Sequence, residues 1–553
     1  MIEKKKILLI FVVFILASLS ILFLSWIIYF FVNDNSKNNV KNEEFLELTN
    51  SDLFYENDYE QPNKYVVLDY KNQNEEIFKT DQNDKSMFHP YYNNEGDLAF
   101  TWFVKNEDSE IIFYNEVYNQ TKNFISNDDL NSNEPNNSLN ESNSSINHEF
   151  IYKSDFDNNY YFIIDNLNTW QGKENDDNGG LGDLSVQQVD IIEENTNDQE
   201  IISISDLLNY SENYWYYIDE DTGEYYRTIM PSNDFFHFNS IDYYEQNIYV
   251  NSRTLGTFLS IKVLDENGNI LNNPEVNWIY SGNYDSYYYL YEEDLDGDHS
   301  IIYNEEENKY IANSEYDPQE TYDFHKNNGG LQDKFINWEI NGNYYPTDNL
   351  ENLRKIQNEE KEQLFMGEHC VKILNPYIEK VGPENFFLDP DAYDPNDLYF
   401  SMFDNHAEWG NTNLELQESL YKEEWYSHDN NSYIKIVEVN PNSTSSKTNL
   451  SPMTGRVILN HKTSQKSPTI SSTLFFEENG NNYVAVDQGN GISDFSDTSL
   501  LSIYQFDKID TAKQDFNKWE TVYEQDFGDQ KMIFRAYPIW DKLDDNVIVS
   551  WNG

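Results

Sequence analysis

FFHFNSIDYYEQNIYVNSRTLG, residues 235–256, looks like ordinary β-strand with one polar interruption, and it carries a histidine and an arginine, His237 and Arg253, at its opposite ends. Within it, YYEQNIYVNSR (243–253) is one example of a unit that recurs in degenerate form: a turn rich in Asn, Asp or Gly, then a short aromatic or β-branched strand. The unit returns as DFDNNYYFIID (155–165), LDENGNIL (264–271), PNDLYFSMFDN (395–405) and FEENGNNYVAVDQG (476–489). Asn-Gly turns supply the positive φ that a tight hairpin needs, so these units predict hairpins. Their spacing suits the four-stranded blades of a β-propeller. A β-sandwich also has short strands and turns, and it stands as the second architecture.

Composition agrees with an all-β chain. Aromatic residues make up 16% of the sequence, led by 43 Tyr and 34 Phe, and such residues favour strands. A length of 553 residues predicts more than one domain, or one large repeat domain with additions. The formal charge of −63 excludes a nucleic-acid partner, because nothing here could neutralise a phosphate backbone. With a single cysteine, Cys370, no intrachain disulfide can form and the core alone must hold the fold.

The N-terminus predicts a compartment. After MIEKKK, the run from Ile7 to Val32 is uncharged; as a helix it would span about 39 Å, enough to cross a bilayer with tilt. Lys4, Lys5 and Lys6 would stay cytoplasmic, which places the rest of the chain on the extracytoplasmic side of a single-pass anchor. The run is longer than a signal-peptide core and ends in bulky aromatics, against cleavage. The expected organisation is an anchor at residues 1–35, a tether and small β region at 36–95, and the main β-domain at 96–553. Two insertions are expected in that domain, near 127–147, which is almost devoid of apolar residues, and near 291–362, which is acidic. The second contains DLDGD (294–298), with oxygen ligands suited to calcium; its spacing departs from an EF-hand loop, so a solvated carboxylate cluster is expected.

The nine histidines sort by context. His89, His299, His325, His406, His428 and His461 sit in polar, turn-like surroundings and are expected to be exposed loop residues. His148, His237 and His369 each stand at the head of a segment that runs into a strand. In a propeller, equivalent positions on different blades converge on the central axis, so these three could share one site.

In this setting the chain resembles the bacterial arylsulfate sulfotransferases. The likeness runs from His148 to the C-terminus, interrupted by the acidic insertion. It rests on a histidine followed by NSIDY (239–243), a strand closing on Ser252-Arg253, then FLSIKVLDENGNIL (258–271) and NWIYSG (277–282). GEHCVKIL (367–374) with LYFSMFDN (398–405) is similar to the segment bearing the family's transiently sulfated histidine, and SLLSIYQFDKID (499–510) and MIFRAYPIW (532–540) resemble its last blade. Cys370 and Thr254 depart from the family pattern, which often has an acidic residue and a histidine there.

The resemblance implies a six-bladed propeller preceded by a small β-sandwich, and transfer of a sulfuryl group from an aryl sulfate to a phenolic acceptor through a covalent enzyme intermediate. It implies His369 as nucleophile, with Arg253 stabilising the anionic sulfuryl group and the departing phenolate and His148 and His237 donating hydrogen bonds or a proton. The residue types fit: imidazole is mostly uncharged near neutral pH and can attack sulfur, and a guanidinium offers a planar fork of donors. No metal or cofactor is required, and the partners are small phenolic donors and acceptors. The net charge demands a locally positive pocket. Two other classes remain: a non-catalytic surface propeller serving binding or adhesion, and a hydrolase using paired carboxylates, for which this acidic chain offers no specific pair.

Overall fold

Among the described residues, three hairpins close through pairs of left-handed residues. Glu245 and Gln246 (φ 48° and 69°), Asn341 and Gly342 (52° and 76°), and Asn479 and Gly480 (53° and 78°) each join strands whose flanking residues pair, Tyr244 with Asn247, Ile340 with Asn343 and Glu478 with Asn481. Two consecutive positive φ values give the turn the same twist as the strands it joins. Two of the three are Asn-Gly pairs, while the first is built from residues with no glycine at all.

The computed structural model describes the strands between residues 52 and 229, the paired strands Ile301–Asn304 and Lys309–Ala312 and the strand 533–539, largely as backbone; with short breaks, it describes side chains as well over 238–282, 331–349, 361–406, 432–489 and 499–526. The described residues fall in one unit, Leu48–Gly553, and are mostly β-strand with few helices. Among the described residues, six successive sheets of four or more strands, here named A to F, carry the chain beside three two-stranded ones; five of the six are antiparallel and E gains a parallel strand at its edge. Sheet A holds Asp52–Asn57, Lys64–Asp69, Asn74–Lys79 and Ile533–Ile539. Sheet B holds Phe88–Tyr92, Leu98–Lys105, Ile111–Tyr118 and Phe124–Ser126; sheet C holds Ser145–Asp155, Asn158–Trp170, Leu184–Glu193 and Gln199–Ser203. Sheet D runs Phe238–Tyr244, Asn247–Ser252, Thr257–Leu264 and Ile270–Ser281. Sheet E runs His369–Ile373, Leu398–Asp404, Tyr433–Asn440 and Thr454–Lys462, and sheet F Ser471–Glu478, Asn481–Gln488, Leu500–Phe506 and Trp519–Asp526. The first strands of B, C, D, E and F adjoin one another in series, and that of F adjoins Ile533–Ile539.

Sheet A joins strands far apart in the sequence. The strands within 52–79 do not make a sandwich of their own: Asp52–Asn57 pairs with Ile533–Ile539 near the C-terminus. The expected boundary at residue 95 also falls inside sheet B, between Phe88–Tyr92 and Leu98–Lys105, which pair. An edge strand left unpaired would expose its N–H and C=O groups, and Ile533–Ile539 covers that side of Asp52–Asn57. Part of the expected insertion 291–362 joins sheet E. Asn337–Ile340 pairs in parallel with the strand Thr454–Lys462, and Trp338 and Ile340 are buried while Asn337 and Glu339 are not, the alternation of a half-buried strand. The apolar run 7–32, the stretch 127–144 and the DLDGD segment lie outside the described residues. Among the described residues no helix is long and apolar enough to cross a membrane.

Aromatic rings fill the space between sheets D and E. Phe258 lies 5.0 Å from Phe400 and 5.7 Å from Phe365, and Tyr280 4.5 Å from Trp338, ring centre to ring centre. The end of the NWIYSG motif has a packing reason: a β-carbon on Gly282 would stand 2.0 Å from the carbonyl oxygen of Phe365. That backbone contact fixes the segment 365–369, and hence the approach to His369, against sheet D. A second core of Tyr377, Phe386, Phe475 and Phe506 joins sheet F to the short helices Asn375–Val381 and Pro383–Phe386, which follow the first strand of sheet E.

Candidate functional site

The first strand of sheet E is docked by side chains. Its outward N–H groups on Val371 and Ile373 donate to Ser240 Oγ (3.0 Å) and Asp242 Oδ2 (3.0 Å), and Lys372 Nζ donates to the Ile241 carbonyl (2.9 Å). Asn239 Nδ2 and Asn251 Nδ2 donate to the carbonyl of Glu368 at 2.8 and 2.9 Å, and Asn251 also donates to Asn239 Oδ1 (2.8 Å). Asp242 is in turn 3.3 Å from the buried ammonium of Lys153 on sheet C. NSIDY is therefore a set of polar side chains standing in for a missing ladder, and they set the height of the His369 strand.

At its start that strand bulges. His369 pairs with Phe403 and Lys372 with Ser401, the register shifts between them, and Cys370 takes φ 54°. A bulge re-aims the side chain beside it, here that of His369. The imidazole is 4% exposed, with Nδ1 2.6 Å from Asn405 Oδ1 and 3.0 Å from the Gly367 carbonyl. Asn405 Nδ2 is committed to the Ser467 carbonyl at 2.6 Å, which fixes the amide so that its oxygen faces the ring. Both neighbours of Nδ1 are acceptors, so in the neutral ring Nδ1 carries the hydrogen and Nε2 holds the lone pair.

Arg253 sits in the turn after Asn247–Ser252 and is 4% exposed. The turn is pinned by Gly256 N–H on the Arg253 carbonyl (3.1 Å) and by Thr257 Oγ1, which donates to the Leu255 carbonyl (2.9 Å) and lies 2.7 Å from Ser281 Oγ. Its guanidinium acts on the carboxyl group of Glu368, the residue before His369. Glu368 is fully buried, and among the described residues neither of its side-chain oxygens has a hydrogen-bond partner. Burial foremost, with the Asp404 carboxylate adding to it, holds this carboxyl well above the ordinary range, while its own backbone N–H, then Lys435 and Arg253, oppose them.

Asp404 and Lys435 form a buried ion pair at 2.9 Å. Burial works against both charges; for Asp404, Lys435 and His406 more than offset it and the carboxyl lies below its usual range, whereas burial prevails for Lys435 and lowers its ammonium. Lys435 also donates to the carbonyls of Glu362 (2.8 Å) and Leu364. The side chains acting on Glu368 thus comprise two cations and one carboxylate, in a chain whose formal charge is −63.

Arg253 acts electrostatically on the carboxyl group of Glu368, the chain neighbour of His369. His148 lies in the first strand of sheet C, with its side chain outside the described residues, and His237, one position before the first strand of sheet D, also lies outside them. Two histidines expected in exposed loops are not exposed: His406 is 2% exposed beside Asp404, and His461 is 7% exposed with Nδ1 2.7 Å from Asp515 Oδ1. Polar chain neighbours gave the wrong expectation because burial is set by what packs from other strands. Asn405, Glu368, Asp404 and Lys435 were not singled out from sequence. For Asn405 and Asp404 the signal was available, in the FDN that closes the strand pairing with that of His369.

Among the described residues no group of three or more His, Cys, Asp or Glu is arranged to hold a metal ion. A cavity of ≈ 410 Å³ lined by Glu339, Glu438, Arg456 and Lys513 lies toward the other end of sheet E and contains none of the sequence-predicted residues. No protein-family model and no curated protein matches this chain.

Proposed function

We propose that this protein transfers a sulfuryl group from an aryl sulfate to a phenol through a sulfated His369, as its resemblance to the arylsulfate sulfotransferases implies. The observation that carries the reading is the fixed ring of His369: Asn405 Oδ1 and the Gly367 carbonyl take its Nδ1 hydrogen, which leaves Nε2 as the attacking nitrogen. In the first half, Nε2 forms a bond to sulfur as the bond from sulfur to the phenolic oxygen breaks, and a phenolate departs. In the second, the oxygen of an acceptor phenol attacks the same sulfur, the N–S bond breaks and the lone pair returns to Nε2. Arg253 is the fixed cation for the sulfuryl oxygens, with His148 and His237 as further donors and no metal or cofactor. Two cations against one carboxylate around Glu368 support an anion site despite the overall charge.

The scaffold we propose is a six-bladed propeller, supported by the six successive sheets of four or more strands among the described residues and by the pairing of Ile533–Ile539 with Asp52–Asn57. It would stand on the extracytoplasmic side of the membrane, tethered by the apolar run 7–32.

Mass spectrometry of the full-length protein after incubation with an aryl sulfate alone tests the reading. The wild type should release phenol and gain a sulfuryl adduct, and His369→Ala should abolish both. A folded wild-type protein that yields neither across a donor panel would leave a non-catalytic binding module as the better description.

A further inference from the structure

Sulfuryl transfer needs a proton at two moments when His369 cannot supply it, because Nε2 is sulfated between them and the Nδ1 hydrogen is held by Asn405. We propose that His406 is the proton carrier, giving a proton from Nε2 to the departing phenolate and taking one from the acceptor phenol. The proposal rests on the sulfuryl-transfer reading and adds a residue to it.

His406 is fixed as His369 is. Its backbone N–H donates to Asp404 Oδ1 (2.9 Å) and its Nδ1 lies 3.2 Å from Asp404 Oδ2. Asp404 is itself held by Lys435 at 2.9 Å and by the backbone N–H of Met366 at 2.9 Å. A ring nitrogen facing a carboxylate carries hydrogen, so Nε2 is the position that gains and loses a proton. That nitrogen is buried and has no hydrogen-bond partner among the described residues. The ring sets its position edge-on to Tyr433, with centroids 5.3 Å apart. His406 also has φ 46°, a left-handed backbone that a side chain with a β-carbon adopts at a cost. A buried nitrogen without a partner and a strained backbone are hard to reconcile with a packing role, which an apolar residue or a glycine would fill more easily. The residue before it, Asn405, holds the nucleophile, so one segment, Asp404-Asn405-His406, orients both imidazoles.

The protons balance over the cycle. In the first half, His406 starts protonated, its Nε2–H passes to the phenolate oxygen as the S–O bond breaks, and neutral phenol leaves. In the second half, neutral His406 removes the proton of the acceptor hydroxyl as that oxygen bonds to sulfur and the N–S bond breaks. His406 is then protonated for the next donor, with no external acid or base consumed.

Comparison of two donors by the full-length protein tests this. His406→Asn keeps a residue that tolerates left-handed backbone but cannot carry the proton. With phenyl sulfate, whose phenol has a pKa of about 10, and with no acceptor present, the rate of the first equivalent of phenol release should fall by about 10²- to 10⁴-fold in the variant. With 4-nitrophenyl sulfate, whose phenolate leaves unaided, the loss should stay below about tenfold. Equal losses with both donors would mean that His406 acts through structure, and overturn the proposal alone. Should the variant not fold, the wild type decides, because a proton donor flattens the dependence of adduct formation on the pKa of the leaving phenol; a steep dependence overturns the proposal. Wild-type protein that releases phenol from neither donor overturns the sulfuryl-transfer reading and this proposal with it.

Discussion

The two central strands of sheet E carry a buried ionic cluster at each end, and the clusters are built on different rules. At one end, where Asp404 pairs with Tyr433, lie Asp404, Lys435, His406, Glu368 and the ring of His369. At the other, where Leu398 pairs with Val439, Glu438 accepts from Arg456 Nε at 2.7 Å, Thr448 Oγ1 at 2.6 Å and Tyr399 at 3.3 Å. Arg456 also bonds Glu339 at 2.8 Å, and Asp397 accepts from Ser446 and from Thr448 at 3.3 Å. The second cluster leaves Asp397 Oδ1 as its one orphan side-chain atom among the described residues; the first leaves both oxygens of Glu368 and Nε2 of His406. A satisfied network stabilises a fold, whereas buried groups held ready without partners cost stability and are retained where chemistry uses them. Like charge marks the satisfied end too: burial, and then the Glu438 carboxylate, push Asp397 up to about 7, although Ser446 pulls it down.

The contrast is broken most readily by Arg253→Lys. The variant keeps the charge and loses the planar fork, so the rate of phenol release should drop by about 10²- to 10³-fold with little change in the unfolding midpoint. A large loss of stability with unchanged turnover would instead make Arg253 part of a structural network like that of Arg456.

Glu368→Gln sharpens the contrast from the stability side. The native carboxyl is held well above its unfolded value, chiefly by burial, so it favours folding below the unfolded pKa and that contribution is lost as pH rises toward the native one. The amide has no proton to lose in either state. The variant should therefore match the wild type near pH 4 and become the more stable protein toward pH 7, the gap widening by at most about 1.4 kcal/mol per pH unit. Chemical unfolding at a series of pH values measures this, and a gap independent of pH would show that Glu368 is ionised in the native protein.

Much of this arrangement was legible as pattern, and its most telling members were not. Asn-Gly turns and aromatic strand runs announce hairpins because their signals are local, whereas the pairing of Asp52–Asn57 with Ile533–Ile539 joins strands from opposite ends of the chain and leaves no local trace. His369 and Arg253 stood out as rare residue types at strand ends. Glu368 had no such contrast among 99 acidic residues, and only the strands packed around it make it different. His406 looked exposed beside polar neighbours, yet it is buried against Asp404 and Tyr433.

The smallest expected effect lies at the satisfied end, with Thr448→Val. The substitution nearly conserves shape and deletes the hydroxyl that donates to Glu438 Oε1 at 2.6 Å and lies 3.3 Å from Asp397 Oδ2. Glu438 keeps Arg456 and Tyr399 as donors, so its carboxylate is not stranded. One hydrogen bond to a charged group is then lost, worth about 1.5–3 kcal/mol at most when the remaining partners cannot adjust. Partial adjustment by Ser446, whose hydroxyl is 2.6 Å from that of Thr448, should hold the cost near the lower end. The unfolding midpoint should fall by only a few degrees, with phenol release unchanged within about twofold, since neither oxygen of Glu438 reaches the Asp404 cluster. Turnover falling while the midpoint holds would mean that the two ends of the strand pair communicate, and the division between a structural cluster and a chemical one would fail.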